Sequence, residues 1–586
     1  MWKKRAAGMC VIFISCIFIL LLRLVQLQLW QPENFSSRHI NLIEESVRQR
    51  SQEVSINDGR GAILDRHGTP LTYERKAVLI LFPFLQKMDW PYEKIAAILG
   101  YDGEELLEAV KGAKEPVTIG GRQPKELTLG QIQAINALEI PGVFAAERNI
   151  PFEKVPASQL IGLSGENAEL AKERYPNKPI PSRTVIGLSG LQKSFDEFLI
   201  GEGGTKLVFQ VDGGGGPLFG SNARYTEPEN SLYPASLKLT IDLGIQRKAE
   251  ELADRHGIKK GGLVLLDIGT NSILAIVSRP EPDNKNPFSG GGFSNLMLKE
   301  QIIGSVFKTV IAAAAIDKGL AKPPRLFDCS RKINGEPDPV YHYGMLDFEE
   351  SFARSCNNTF AQLAKELQKA DSGTIEEYAS KLSLTDGVGW EGNVFHQARF
   401  RQLPGEEKGR IFLDGQERKD ANYAALTGIG QKEVRATPLA VANMMATIAR
   451  DGLKEQVRAV SEIEYQDGLP MYAFQQNALG GPQLEVSTAK ELQKMLRRVV
   501  TDPNGTGRWF SGLPYEAAGK SGTAETGRFS ESGQYHNKWF AGYFPFGKPR
   551  YALVTVNLDV MGDEGGVNPL FADMVNFLYT YDQQAE

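Results

Sequence analysis

Ser305 and Lys308 are spaced three residues apart, at the start of an apolar run that Gly319 closes. On a helix, this spacing places both side chains on one face, so the amine can reach the hydroxyl one turn earlier. Apolar surroundings favour a neutral lysine, because burial penalises the charged form and lowers the pKa of the amine. The pair therefore predicts a serine nucleophile with a lysine base, at a helix start whose dipole favours negative charge.

A Ser-x-x-Lys pair also arises by chance in a chain of 586 residues, with the serine as a helix cap and the lysine as a solvated side chain. Two further short motifs follow it, in the order that a known group of serine acyl-transfer enzymes requires. They are Ser355-Cys356-Asn357 and Lys520-Ser521-Gly522-Thr523. The ordered set, more than any single motif, favours a catalytic site.

The first of these motifs, taken alone, is typical of a turn or a helix cap. Its side chains also suit acyl transfer, because the Ser355 hydroxyl can relay a proton between the lysine and a leaving amine. The Asn357 amide can bind a peptide group. We therefore predict Ser355 and Asn357 as catalytic residues.

The second motif, taken alone, is typical of a strand end with a tight turn. In an acyl-transfer site, Gly522 allows close approach of a substrate backbone, and Lys520 supplies positive charge. The Ser521 and Thr523 hydroxyls suit a substrate carboxylate, and an extended peptide can pair with the strand edge. We predict Lys520 as a catalytic residue, and Ser521, Gly522 and Thr523 as substrate-binding residues.

With these motifs in place, the chain resembles the class B penicillin-binding proteins, the monofunctional D,D-transpeptidases of peptidoglycan synthesis. The resemblance covers the whole chain and includes segments outside the three motifs. These are Arg60-Gly61-Ala62-Ile63-Leu64-Asp65-Arg66 with Gly68 and Leu71, residues 187–190 with Asp196, Leu199 and Gly201, residues 342–357, Thr437-Pro438-Leu439, and Trp539-Phe540-Ala541-Gly542-Tyr543.

The resemblance implies an α+β protein with three parts. They are a cytoplasmic stub with a transmembrane helix (1–30), an elongated α/β pedestal of the dimerisation type (31–235), and a β-lactamase-like transpeptidase domain with an antiparallel sheet flanked by helices (236–586). It also implies a mechanism in which Ser305 attacks a D-Ala-D-Ala bond and a stem-peptide amine resolves the acyl-enzyme. The backbone N–H groups of Ser305 and Thr523 would form the oxyanion hole. β-Lactams would acylate the same serine.

Five residues depart from the family pattern. Ile303 and Lys432 stand where proline and glycine are usual, Val306 and Ser521 where threonine is common, and Gln192 where glutamate is frequent. The predicted catalytic positions keep competent side chains. We interpret the departures as changes of rate or β-lactam affinity.

The amino-terminal segment predicts a membrane anchor. Basic residues 3–5 precede an apolar stretch at residues 6–22, just long enough to cross a bilayer, and Arg23 ends it. A signal peptide is the alternative, but no small-x-small cleavage site follows. We expect an uncleaved single span, with Trp30 at the interface, the amino terminus in the cytoplasm and the catalytic part outside.

The elements around the motifs predict a sheet flanked by helices. Apolar alternation indicates a strand at residues 236–242, a hairpin at 261–278, and two further strands at 539–544 and 551–560. Residues 243–256 have the pattern of a helix. In the pedestal, short helices are expected within 90–112 and 126–138, a strand-turn-strand element at 58–71, and a linker or hairpin at 213–216.

The four cysteines carry little information at this level. Cys10 and Cys16 fall in the apolar stretch, whereas Cys329 and Cys356 lie in the exported part, where a disulfide is permitted. Sequence does not place these two sulfurs within bonding range, so we expect free thiols. A metal site from Asp328, Cys329, His342 and Cys356 lacks a recognised spacing, and we predict neither metal nor cofactor.

Several other functions are disfavoured. The net charge of −5 gives no basic excess for nucleic acid. The chain lacks the G-x-S-x-G and H-E-x-x-H motifs and a complete Walker A loop. A D,D-carboxypeptidase and a catalytically weak cell-wall scaffold remain as alternatives. The expected partners are stem peptides, β-lactams, the lipid bilayer and other cell-wall synthesis proteins.

Overall fold

The structure is a computed structural model that describes most of the chain. The described residues are 2–32, 35, 42–43, 46, 50–121, 123–178, 184–201, 203–212, 216–218, 224–226, 230, 232–283, 285–531, 533–562 and 565–585. The predicted linker at 213–216 therefore lies mostly outside them.

One helix among the described residues is long and apolar enough to cross a membrane, Trp2–Trp30. It is α-helical over Trp2–Val25 and ends in a wider π-helical turn, Gln26–Trp30. None of its residues is buried against the rest of the described chain. The predicted apolar segment at residues 6–22 is therefore part of a longer helix whose length and composition suit a membrane span.

The predicted pedestal consists of small sheets and short helices. Its strands are Ser51–Ser55, Ile63–Leu64, Tyr73–Leu81, Val117–Thr118, Val143–Pro151, Ser164–Glu166, Val185–Gly187, Lys206–Gln210 and Arg224–Thr226. Its helices are Pro83–Lys87, Tyr92–Leu99, Gly103–Val110, Leu129–Asn136, Ser158–Ile161, Ala168–Arg174, Gly190–Ser194 and Asp196–Leu199. The helices predicted within 90–112 and 126–138 are confirmed.

A buried ion pair joins the two pedestal segments of the family resemblance. Arg60 Nη1 lies 2.8 Å from Asp196 Oδ1, and the two side chains are 3% and 2% exposed. Arg60 also donates to Gln192 Oε1 at 2.5 Å. The Asp196 carboxylate accepts hydrogen bonds from Gly187 N at 2.6 Å and Tyr175 Oη at 2.9 Å. Gln192, a departure from the family pattern, thus supplies a neutral acceptor to the guanidinium.

The first pedestal segment also continues into the next region. Strand Ile63–Leu64 pairs in parallel with Ser236–Leu239, which lies beyond the predicted boundary at residue 235. Asp65 Oδ1 accepts from Thr69 N at 2.8 Å, and Asp65 Oδ2 accepts from Leu243 N at 3.3 Å. The domain boundary at residue 235 stays a prediction, because strands from both sides of it pair in one sheet.

The region after residue 235 holds the larger core. Its strands are Ser236–Leu239, Gly261–Asp267, Ser272–Arg279, Gln301–Ile302, Phe327–Asp328, Met345–Leu346, Glu391–Val394, Gln397–Arg401, Arg435–Ala436, Val460–Glu464, Pro470–Ala473, Ala518–Ser530, Gly533–Phe544 and Tyr551–Met561. Its α-helices are Leu243–Arg255, Lys308–Asp317, Phe348–Ala353, Asn357–Ala370, Thr374–Lys381, Ala421–Gly428, Pro438–Ala449, Val486–Thr501 and Val567–Ala585, and its 3₁₀ turns are Leu296–Leu298, Gly304–Phe307, Glu417–Lys419 and Arg508–Phe510.

Five antiparallel strands form the central sheet. Their order is Ser272–Arg279, Gly261–Asp267, Tyr551–Met561, Gly533–Phe544 and Ala518–Ser530. Side chains alternate between its faces. Leu263 and Leu265 pack with the helices Leu243–Arg255 and Val567–Ala585, whereas Val264 and Leu266 join the larger core. The predicted sheet flanked by helices is confirmed, and Ala518–Ser530, hereafter the motif strand, lies at its edge.

The helix after the predicted nucleophile begins later than the spacing suggested. A 3₁₀ turn covers Gly304–Phe307, and the α-helix runs over Lys308–Asp317. The helix is buried from Lys308 to Ala315, which explains why its sequence is apolar on every face. Gly319 follows with φ +67° as the predicted cap.

Candidate active site

The 3₁₀ turn holds Ser305 against the motif strand. Gly304 has φ +55°, and a Cβ there would lie 2.3 Å from Thr523 O, so glycine is required on steric grounds. Gly304 N donates to Gly430 O at 3.0 Å, and Trp539 Nε1 donates to Ile302 O at 3.1 Å. These contacts fix the turn that presents Ser305 to a cavity of about 360 Å³.

The same cavity brings the three motifs together. Ser355, Asn357, Ser521 and Thr523 line it together with Ser305. Gly522 is not among the lining residues, and a Cβ on it would come within 2.7 Å of Ile303 O. The glycine therefore allows the motif strand to pack directly against the segment before the nucleophile.

Lys308 lies beneath the cavity and is fully buried. Its Nζ donates to Ser355 O at 2.7 Å, Ser355 Oγ at 3.0 Å and Asn357 Oδ1 at 2.6 Å. Burial lowers the pKa of this amine well below its usual value, and the charge of Lys520 lowers it further. Within the described part of the chain, the hydrogen bonds of Nζ go to the second motif and not to Ser305 Oγ, which differs from the direct contact that the spacing suggested.

Lys520 is the second fully buried lysine of the site. Its Nζ donates to Ser355 Oγ at 2.9 Å and to Ser521 O at 3.3 Å. Burial lowers the pKa of Lys520 to about 7. Because both lysines donate to Ser355 Oγ, the two acceptor positions of that hydroxyl are filled, and its own proton is left for a group in the cavity.

Cys329 and Cys356 form a disulfide, with their Cα atoms 5.7 Å apart, so the prediction of free thiols is wrong. The pairing follows from tertiary contacts. Cys329 N donates to Gly344 O at 2.8 Å, and Asn358 Nδ2 donates to Asp328 O at 3.0 Å, which brings residue 329 to the start of the helix Asn357–Ala370. The bridge attaches the middle residue of the second motif to the strand Phe327–Asp328. Among the described residues, no three His, Cys, Asp or Glu side chains converge on a metal site.

Two residues of the site, Thr506 and Gln431, were not among the predicted site residues. Thr506 Oγ1 accepts from Ser521 Oγ at 2.8 Å, so a second hydroxyl lies beside the third motif. Gln431 pairs with the motif strand through both ends of its amide, donating to Thr523 O at 3.4 Å and accepting from Glu525 N at 3.1 Å. The sequence could have indicated Gln431 only through its position directly before Lys432, one of the departures from the family pattern.

The departures from the family pattern lie around this framework. Ile303 and Val306 are fully buried in the core behind the nucleophile. Lys432 has φ +62°, a conformation that glycine adopts without strain, so the lysine there imposes a local conformational cost of roughly 1 kcal/mol.

Two family descriptions match the chain. "Penicillin binding protein transpeptidase domain" matches residues 261–575, and "Penicillin-binding Protein dimerisation domain" matches residues 55–230. The transpeptidase match alone covers more than half of the chain.

Relatives and one solved structure agree with these matches. The peptidoglycan D,D-transpeptidase FtsI of Escherichia coli K12 is 23% identical over 578 residues, 94% of this chain and 87% of that protein. The penicillin-binding protein PbpB of Mycolicibacterium smegmatis is 28% identical over 62% of this chain and 56% of that protein. In fold, the chain resembles a chain of a peptidoglycan synthase complex with a TM-score of 0.65 and 23% identity, covering 98% of this chain and 97% of that one. The chain therefore has a dimerisation domain followed by a transpeptidase domain that spans most of the remaining residues. By these matches, the protein belongs to the class B penicillin-binding proteins.

Proposed function

We propose that this protein is a peptidoglycan D,D-transpeptidase that cross-links stem peptides through an acyl-enzyme on Ser305. The observation that carries the proposal is the pair of fully buried lysines, Lys308 and Lys520, which both donate to Ser355 Oγ beneath the cavity that holds Ser305. Among the described residues, no carboxylate lies within hydrogen-bonding range of either lysine. The relatives named as peptidoglycan D,D-transpeptidases support the substrate class.

Acylation follows from this arrangement. Lys308 donates three hydrogen bonds as an ammonium, and its depressed pKa favours loss of one of those protons, which leaves a lone pair on Nζ. Ser305 Oγ attacks the carbonyl carbon of the penultimate D-Ala and gives up its proton to this neutral amine. The C–N bond breaks, and the amine of the terminal D-Ala takes a proton through the Ser355 hydroxyl. The N–H groups of Ser305 and Thr523 stabilise the oxyanion.

Deacylation reverses these proton transfers. A stem-peptide amine attacks the ester carbonyl, loses a proton to Lys308, and forms the new amide bond. The C–O bond to Ser305 breaks, and its oxygen regains the proton. Asn357 holds the peptide group of the donor, whereas Ser521, Gly522 and Thr523 bind along its end as an added strand at the sheet edge. Gln431 occupies part of that edge and bounds the length that a substrate can pair with.

The placement of the protein belongs to the same proposal. The helix Trp2–Trp30 anchors it in the membrane with its amino terminus in the cytoplasm, where Lys3, Lys4 and Arg5 favour retention. The pedestal up to residue 235 raises the transpeptidase region towards peptidoglycan. Other cell-wall synthesis proteins are the proposed partners.

The decisive experiment is labelling with a fluorescent penicillin, followed by mass spectrometry of the adduct. We expect the wild-type protein to be labelled on the peptide that holds Ser305 and the Ser305→Ala variant to stay dark. Labelling that persists in Ser305→Ala would refute the nucleophile. Incubation with a donor stem peptide and an amine acceptor then separates cross-linking from hydrolysis, and hydrolysis alone would favour a carboxypeptidase.

A scaffold role has its own test. In a strain that depends on this protein, we expect Ser305→Ala not to restore growth, although the variant accumulates at the wild-type level. Full complementation by Ser305→Ala would contradict the enzymatic proposal.

A further inference from the structure

Arg354 is the residue immediately before the second motif and is one of the residues that line the active-site cavity. It caps the carboxyl end of the helix Phe348–Ala353, where its N–H donates to Glu350 O at 2.9 Å. The side chain is 17% exposed, so most of it is removed from water. Its guanidinium lies against the Tyr343 ring, with Cζ 5.9 Å from the centroid.

Among the residues that the structure describes, no carboxylate lies within hydrogen-bonding distance of the Arg354 guanidinium. Its nearest carboxylates are Asp502, with Nε and Oδ1 3.9 Å apart, and Glu350, with Nη2 and Oε1 4.0 Å apart. Both distances exceed a hydrogen bond, and the buried Nε has no hydrogen-bond partner. The same two carboxylates also lie near Arg498, at 4.0 and 3.7 Å. The hydrogen-bonding capacity of Arg354 is therefore unused in the described structure.

Arg331, another arginine that lines the cavity, provides a contrast. Its Nε lies 2.8 Å from Asp328 Oδ2, and its Nη1 donates to Gly335 O at 2.9 Å. The charge of Arg331 is thus compensated by a close carboxylate. Arg331 therefore has a carboxylate within hydrogen-bonding distance, whereas the carboxylates nearest to Arg354 lie 3.9 and 4.0 Å away.

Backbone and hydroxyl contacts place Arg354 near the third motif. Ala353 O accepts from Thr506 N at 3.1 Å, and Thr506 Oγ1 accepts from Ser521 Oγ at 2.8 Å. In the proposed function, Ser521 meets the terminal carboxylate of the donor. The residue before Arg354 is therefore tied to the end of the cavity where that carboxylate lies.

Lys520, the lysine of the third motif, is a weak source of positive charge for binding the carboxylate. Burial lowers the pKa of Lys520 to about 7, so a large fraction of this amine is neutral at neutral pH. An arginine side chain keeps its charge throughout the physiological range and matches a carboxylate with two parallel hydrogen bonds. Recognition of an anion therefore falls to the guanidinium more than to the lysine.

We propose that Arg354 is a specificity-determining residue that binds the terminal carboxylate of the donor stem peptide. This inference rests on the proposed function, because it names a contact of that substrate in the same cavity. It assigns to Arg354 the preference for a free acid over an uncharged carbonyl terminus. Asp502 and Glu350 orient the guanidinium from behind without neutralising it through a close contact.

The test uses two donor thioesters that differ in one group. Both carry an N-acylated D-alanyl unit, and the leaving thiol is 2-sulfanylpropanoic acid in one and its primary amide in the other. The second-order rate constant of thiol release is measured for each. We expect the wild-type protein to prefer the acid, and Arg354→Gln to lose about 10- to 100-fold on the acid while staying within about twofold on the amide.

Two variants control the experiment. Arg331→Gln removes a charge from the same cavity and should leave the acid-to-amide ratio unchanged. Arg354→Lys keeps a positive charge without the paired donors and should give an intermediate acid-to-amide ratio. This variant also tests the inference if Arg354→Gln does not fold. Melting temperatures establish that each variant is folded.

The outcomes separate cleanly. An equal loss on both substrates in Arg354→Gln means a structural role and overturns the inference, as does no loss on either. If Arg331→Gln loses the preference for the acid, the total charge of the cavity sets that preference, and this result also overturns the inference. If the wild-type protein releases thiol from neither substrate, the proposed function itself fails, and the inference fails with it.

Discussion

The pedestal and the active site each bury cations, but they compensate them differently. In the pedestal, Arg60 is 3% exposed and lies 2.8 Å from the carboxylate of Asp196. In the active site, Lys308 and Lys520 are fully buried and donate only to neutral oxygens. Burial carries a desolvation penalty in both regions, and they differ in whether an anion offsets it.

The difference explains what each region can do. A buried guanidinium with a carboxylate partner stays charged and joins two distant segments in one geometry. A buried amine without such a partner is relieved by losing its proton, which makes it a base. One arrangement therefore fixes architecture, and the other creates reactivity.

Replacing the base should have the largest effect. Lys308→Met removes the amine and should slow acylation of Ser305 by a fluorescent penicillin by about 10³- to 10⁴-fold, measured as a rate constant. Lys454→Met is the matched control, because Lys454 is also buried and donates to Ser380 O at 3.1 Å outside the site. A wild-type rate in Lys308→Met would show that burial of this lysine does not serve catalysis.

Replacing the pedestal carboxylate should instead reduce stability. Asp196→Asn removes the carboxylate that Arg60 and Arg174 share, and we expect a loss of about 3–5 kcal/mol in the free energy of unfolding. Chemical denaturation measures this loss, and the penicillin acylation rate of the folded variant should stay near wild type. The double variant Arg60→Met/Asp196→Asn should recover part of the stability. If the double variant loses more stability than the sum of the losses in the two single variants, the unpaired charge of Arg60 is not the cause of the loss in Asp196→Asn.

Breaking the Cys329–Cys356 bridge should have a smaller effect on stability. The bridge closes a loop with a sequence separation of 27, and we expect Cys329→Ser/Cys356→Ser to lose about 2–4 kcal/mol in thermal or chemical unfolding. Because Cys356 lies between Ser355 and Asn357, the acylation rate should fall as well. A variant with wild-type stability would contradict a structural role of the bridge.

The buried lysine should also give a pH-dependent stability. Lys520 has a pKa of about 7 in the folded protein, and an unfolded lysine titrates near about 10.4. Between these values the unfolded state binds more protons, so stability rises with pH, by up to about 1.4 kcal/mol per pH unit for this group. Below pH 7 both states are protonated, and this contribution is constant.

Denaturation of the wild type and Lys520→Met at several pH values measures that contribution. The stability advantage of Lys520→Met should be largest below pH 7 and shrink towards pH 10. An advantage that does not change between pH 7 and 10 would contradict a depressed pKa of Lys520. Asp196→Asn, measured in parallel, should not remove this slope, because its effect arises in the pedestal.

The sequence alone determined the motifs, their order and much of the framework around them. The helix at Leu243–Arg255, the hairpin of Gly261–Asp267 and Ser272–Arg279, and the last two strands follow from local periodicity, which reflects which side chains face the core. The apolar run after Lys308 likewise indicated a buried helix. Such features depend on neighbours within a few residues, so they can be read from the chain.

Only the tertiary structure decided how the site is connected. Three contacts join residues that are separated in sequence: Lys308 with Ser355, Cys329 with Cys356, and Ser521 with Thr506. The fold also brings Arg354 to the cavity that holds Ser305. Burial of Lys308 and Lys520 is likewise a property of the packed core and not of any local pattern. Because the pKa of an amine depends on its solvation and on distant charges, the chemistry of the motifs was decided by the fold around them.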